Sequence, residues 1–215
     1  MPMEFYHLIN RGVEKRDVFL DDGDYLRFIH DLYVFNDRAS APNYMVKARR
    51  AEHRRALLVQ IHAFALMSNH YHLLVTPLQD DSLSLFMRKL NMGYAKYMNE
   101  KYDRSGVLWQ GTFRKIRIKR DAHFQYIPYY IHLNPLDYTH PNWRSGTVAS
   151  VEAALAALRA YRWSSYRDFN GIKNFPSVLH TDTLKPILGN TSEQNRQIAA
   201  ILSDPAVAAH SDALE

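Results

Sequence analysis

The chain has 215 residues, 47% hydrophobic and 23% charged, the balance of a soluble globular protein of one domain with an extension or a domain and a half. It has no cysteine, which excludes disulfides and thiolate metal sites and accords with a cytoplasmic protein. Lysine and arginine total 27 against 22 acids, a net charge of +5 that is compatible with a nucleic-acid partner without establishing one.

MPMEFYHLIN lacks the basic start and apolar core of a signal peptide, and no apolar run approaches a membrane span. FYHLIN (5–10) alternates like a strand, which Arg11-Gly12 ends. Asp21 or Asp22 can cap a helix from about residue 23, with Tyr25, Phe28, Ile29, Leu32 and Tyr33 at helical spacing. Residues 38–55 are polar and basic with Pro42, and read as a loop or a short solvated helix. LLVQIHAFALM (57–67) has strand length, Ser68-Asn69 makes a tight turn, and HYHLLVTP (70–77) is the antiparallel partner. Ser82 is the expected cap of a long amphipathic helix through Leu83, Phe86, Leu90, Tyr94 and Tyr97. RKIRIKR (114–120) alternates as a strand with one wet face. Asp121 then suits an N-cap for AHFQYIPYYIHLN, in which Pro128 lacks the N–H for the bond back to residue 124 and predicts a bend or an irregular start.

The order β-α-β-β-α-β-α predicts an α+β, ferredoxin-like antiparallel sheet with helices packed on it. Residues 1–138 form this core. Residues 139–215 read as a mostly helical or irregular C-terminal extension, with an Ala-rich helix from about Val151, the segment RWSSYRDF, and a further helix near 192–203.

Two basic clusters stand out. KARRAEHRR holds Lys47, Arg49, Arg50, Arg54 and Arg55, and reads first as a solvated face. RSGVLWQGTFRKIRIKR (104–120) carries six cations and no acid, interleaved with Trp109 and Phe113, so a solvated face and a nucleic-acid surface are equally compatible.

In MSNHYHLLV (67–75), strand alternation points His70 and His72 to one face and Tyr71 to the other. Two imidazoles alone rarely complete a metal site. YYIHLNP supplies Tyr130 and Asn134 four residues apart, one helical turn on the same face. Two imidazoles and a carboxamide oxygen leave open positions on a divalent ion such as Mg²⁺ or Mn²⁺, where a phosphate oxygen can bind and be polarised. A phenol has a pKa of about 10, so a tyrosine nucleophile needs such a cation beside it. The competing readings are a packed core aromatic for Tyr130, a helix-ending residue for Asn134, and ordinary strand histidines.

NRGVEKRDVFLDD, MSNHYHLL, LWQGTFR, YIHLNP and RWSSY, in this order, resemble the REP-associated tyrosine transposases, single-tyrosine endonucleases of the His-hydrophobic-His type. The likeness covers about residues 4–170. It implies that His70, His72 and Asn134 hold the metal and that Tyr130 attacks a phosphodiester of single-stranded or hairpin DNA. The products are a 5′-phosphotyrosine and a free 3′-OH, and reversal rejoins strands. Tyr71 is bulkier than the aliphatic residue usual between the two histidines. Arg11, Arg114, Lys115, Arg117 and Lys119 are candidate phosphate contacts. Trp109 or Phe113 is a candidate for stacking on an unpaired base, with a core anchor as the alternative for Trp109. The expected partner is DNA, without a membrane, bound by a monomer or homodimer. The rival function is a DNA- or RNA-binding protein on the same fold that does not cleave.

Overall fold

In the computed structural model, which describes residues 3–39 and 55–208, FYHLIN becomes an inner strand of a four-stranded antiparallel sheet. The strands are β1 (Phe5–Arg11), β2 (Val59–Met67), β3 (His70–Pro77) and β4 (Arg114–Ile118), in the spatial order β2-β3-β1-β4. Helices α1 (Asp22–Val34), α2 (Ser82–Lys101) and α3 (Asp121–Leu133) complete the expected βαββαβ plan and the helix that follows it. The loop or short helix expected across 38–55 lies largely outside the described residues, as does most of its basic cluster. Arg55 is described, and its guanidinium sits 3.6 Å from the centre of the Tyr33 ring.

Both faces of the sheet are covered, which explains why β2 and β3 read as nearly continuous apolar runs. Tyr71, Leu73 and Val75 of β3 pack with Phe28 and Leu32 of α1 and Phe86, Leu90 and Tyr94 of α2. Leu74, with Ala63 and Ala65 of β2, packs instead with Ile127, Tyr130 and Ile131 of α3. Each such fully buried apolar side chain contributes roughly 1.5–3 kcal/mol.

Local signals hold to within a residue. Asp21 caps α1 in a reciprocal box with Asp24, its Oδ1 accepting the Asp24 N–H at 3.0 Å. Ser82 and Asp121 are the first helical residues of α2 and α3, and Asp81 and Arg120 hold the cap positions. The helix α3 runs through Pro128 without interruption, its inner face buried against the sheet.

The extension shares a core with α3 and so does not stand apart from it. Helix α4 (Val151–Ala160) starts at Ser150, whose Oγ accepts the Ala153 N–H, and α5 (Tyr166–Phe169), α6 (Lys185–Leu188) and α7 (Thr191–Ser203) follow. Trp143, Leu158, Tyr166, Leu184 and Ile198 join the α3 cluster. RWSSY lies along the outer edge of β2, with Leu66 N–H donating to Trp163 O at 2.9 Å and Ser165 N–H to Phe64 O at 3.0 Å. That pairing covers an edge that would otherwise present open backbone groups. Trp163 itself stacks on Tyr25, ring centres 4.6 Å apart. Among the described residues no helix is long and apolar enough to cross a membrane.

Candidate active site

The β2–β3 hairpin turns at Ser68-Asn69 and delivers His70 and His72 to the α3 face of the sheet. Tyr71 points the other way, fully buried, its hydroxyl donating to Asn91 Oδ1 at 2.8 Å. Register with β1 places Arg11 opposite His70 and Ile9 opposite His72. His7, two residues before Ile9, therefore shares their face. Its Nε2 lies 2.9 Å from His72 Nδ1, with the rings stacked 5.1 Å apart.

Tyr130, in the last turns of α3, sets the edge of its ring against both His7 and His72, each 5.8 Å away between centres. One turn on, Asn134 Nδ2 donates to the Tyr130 carbonyl at 2.8 Å. Its Oδ1 accepts from Arg144 Nη2 at 2.9 Å. Arg144 also binds Asp137 at 3.0 Å and lies 4.4 Å from the Trp143 ring centre and 5.3 Å from that of Tyr130. The structure thus gathers His70, His72, Tyr130 and Asn134, and encloses Tyr130 at 0% exposure.

Burial disfavours the charged form of both histidines. Burial, with Arg11 and Arg144 adding to it, holds His70 down to about 3. Burial likewise pushes His72 well below the ordinary histidine value, followed by the neighbouring His70 and His7 and then by Arg144 and Arg11. Both are neutral at pH 7. His70 Nδ1 lies 2.5 Å from the acceptor Asn69 Oδ1, so Nδ1 carries the hydrogen and Nε2 the lone pair. His72 Nε2 is buried with no hydrogen-bond partner, and in the tautomer whose Nδ1–H donates to His7 Nε2 it carries a lone pair of the kind a metal occupies. Among the described residues no three His, Cys, Asp or Glu side chains form a metal cluster. Asn134 Oδ1, which accepts from Arg144, keeps a second lone pair that could serve a cation. These donors fit a hard divalent cation with open positions. On Arg144, burial opposes the charged form, but Asp137 and Tyr130 outweigh it and raise the guanidinium above its usual value.

Beside His72 opens a cleft of about 350 Å³ lined by Arg11, Gln110, Thr112 and Arg114. Pairing with β1 sorts the basic residues by face. Arg114 stands opposite Ile9, on the histidine side, whereas Lys115 and Arg117 stand opposite Leu8 and Tyr6, on the other side. Arg117 is paired with Glu4, and Lys115 lies over the Tyr6 ring. Lys119 is exposed just past β4. Trp109 is 8% exposed and packs on Tyr71, with Nε1–H donating to Asn91 O at 3.0 Å, so the structure places it as a core anchor and not as a stacking surface. Phe113 is half-buried at the margin of that core.

Sequence reasoning missed His7, Asp137, Trp143 and Arg144. His7 carried a usable signal, since it shares parity with Phe5 and Ile9 in FYHLIN, but its contact with His72 depends on a strand pairing distant in sequence. Arg144 carried none.

A family model described as "Transposase IS200 like" matches residues 6–134. Among curated proteins, no sequence matches. Among solved structures, that of a REP-associated tyrosine transposase bound to a REP hairpin aligns over 84% of this chain and 86% of that one. Its TM-score is 0.50 at 13% sequence identity, a likeness of fold.

Proposed function

The chain belongs to the IS200-like transposase family, and on that premise we propose that it nicks and rejoins single-stranded or hairpin DNA through a 5′-phosphotyrosine on Tyr130. It works as a cytoplasmic monomer or homodimer with Mg²⁺ or Mn²⁺ held by His70, His72 and Asn134. The observation that carries this reading is the meeting of Tyr130 with the His72 ring, whose Nε2 is buried and unpartnered. The hairpin held by the structural neighbour supports DNA as the substrate.

The metal, when bound, polarises the phosphorus centre and offsets charge developing on its oxygens. The protein's own groups do the rest. Tyr130 Oη is the nucleophile, aimed from a helix that is packed on the sheet. His7 fixes the orientation of the His72 ring through their shared hydrogen bond. Arg11 and Arg114, on the histidine face, hold phosphates that flank the cut.

The complete burial of Tyr130 favours a second reading, a DNA- or RNA-binding protein without cleavage. Labelled hairpin DNAs incubated with Mg²⁺, Mn²⁺ or EDTA and run on a denaturing gel separate the two. The endonuclease reading expects a covalent protein–DNA adduct that needs metal and disappears in Tyr130→Phe. Binding without an adduct, across a diverse hairpin pool and both metals, supports the non-cleaving protein.

A further inference from the structure

Tyr130 is enclosed by His7, His72, Trp143 and Arg144. His7 and Trp143 are fully buried, and His72 is 3% exposed. The Arg144 side chain is 27% exposed, the most open of these four. A phosphodiester that reaches Tyr130 from that side meets a guanidinium first.

The guanidinium is already bonded to oxygen acceptors. Nη2 binds Asn134 Oδ1 at 2.9 Å and Asp137 Oδ2 at 3.0 Å. Asp137 is one-third exposed, so its carboxylate has water as an alternative partner, and the two non-bridging oxygens of a phosphodiester offer Arg144 the same charge and a pair of acceptors to fork across. Trp143, anchored by its Nε1–H on Asp137 and lying 4.4 Å beneath the guanidinium, is a rigid mount. Arg11 stands on the strand side of the histidines. Arg144 puts a positive charge on the helix side, beside the nucleophile. It lies in the extension, beyond residue 134 where the family match ends.

We propose that Arg144 is a further catalytic residue, whose guanidinium receives a non-bridging oxygen of the scissile phosphodiester as Tyr130 attacks. The inference rests on the Tyr130 reading above. In the step, the Tyr130 Oη–P bond forms and the P–O3′ bond breaks. The phenolic proton passes to water and the leaving 3′ oxygen takes a proton from water, so charge and atoms balance. Arg144 neither gives nor takes a proton. It stabilises the negative charge that gathers on the phosphoryl oxygens, where one well-placed donor is typically worth about 10²–10³ in rate.

The test compares wild type, Arg144→Gln and Arg144→Lys for hairpin affinity by fluorescence anisotropy and for the single-turnover rate of adduct formation in saturating Mn²⁺. Arg144→Gln is expected to slow the adduct by about 10²-fold, with hairpin affinity held within about threefold. Arg144→Lys retains the charge without the planar fork, is expected to fall between, and serves if the Gln variant does not fold. A DNA with a methylphosphonate at the cut site adds a readout that a purely structural role does not move. It is expected to slow the wild type strongly and the Arg144→Gln protein by a smaller factor, because the lost contact is shared. Adduct rates within threefold of wild type in both variants overturn the proposal. So do methylphosphonate factors equal in wild type and variant. Absence of any adduct from wild type with all hairpins refutes instead the endonuclease reading on which the proposal stands.

Discussion

Replacing His7 with phenylalanine tests whether the second histidine row supports the first. The ring volume is nearly kept, while the acceptor or donor 2.9 Å from His72 Nδ1 is lost inside a fully buried stack. A buried polar atom left unpaired costs about 1–3 kcal/mol. For a chain of this size each kcal/mol is worth roughly 2–4 °C, so melting should fall by roughly 2–12 °C without metal. The larger effect falls on metal affinity, since loss of a group that orients a ligating histidine typically costs about 10–100-fold, or about 1.4–2.8 kcal/mol. Titration of Mn²⁺, followed by the signal of the free hexaaqua ion, reads that loss directly, and thermal melts with and without Mn²⁺ read it independently. His7→Gln keeps a polar group within reach and should recover part of both. A His7→Phe protein that binds Mn²⁺ as tightly as wild type, with the same metal-induced rise in melting temperature, would refute the supporting role of His7.

Three further outcomes follow from the packing. A Cβ at Gly12 would clash with the Arg16 carbonyl oxygen, and Gly12 N–H donates to Asn69 O in the turn before His70; Gly12→Ala should therefore cost about 1–3 kcal/mol in denaturant melts and weaken Mn²⁺ binding. Trp143→Ala removes a fully buried indole from the core that α3 and the extension share, and should cost about 3–5 kcal/mol; a change under 1 kcal/mol would mean that the extension is not part of the cooperative unit. Burial holds His62 near 4 and His132 near 3, both below the ordinary value. Their neutral-form contribution is thus complete above about pH 6.5 and lost as pH falls toward those values, up to about 2 kcal/mol each by pH 5. Urea midpoints at pH 7.5 and 5 should show the loss, and equal midpoints would contradict it.

What the sequence disclosed was local or periodic. The alternation in HYHLLV separates His70 and His72 from Tyr71, and the Ser68-Asn69 turn sets the hairpin that positions them. The four-residue spacing of Tyr130 and Asn134 needs only helical geometry, and Pro128 does not stop it because the inner face of α3 is held by the sheet. Alternation in RKIRI also separates Arg114 from Lys115 and Arg117, but which of them shares the histidine face depends on pairing with β1, more than a hundred residues earlier in sequence. The same holds for His7. Trp109 illustrates the other limit: a ring beside cations suits base stacking and core packing alike, and only its neighbours Tyr71 and Tyr94 decide for the core. A boundary at residue 138 follows the change in composition, yet Arg144 beyond it touches Asn134 and lies over Tyr130 before it. Composition does not reveal a contact between elements.

The central claim is that Tyr130, among the three tyrosines of α3, forms the bond to DNA. Mass spectrometry of the protease-digested adduct formed with hairpin DNA and Mn²⁺ tests this most directly, because Tyr126 and Tyr129 lie on the same peptide and fragmentation resolves them. A nucleotide mass on Tyr130 alone is the predicted result. A nucleotide on Tyr126 or Tyr129, or an adduct that survives in Tyr130→Phe, would contradict the account.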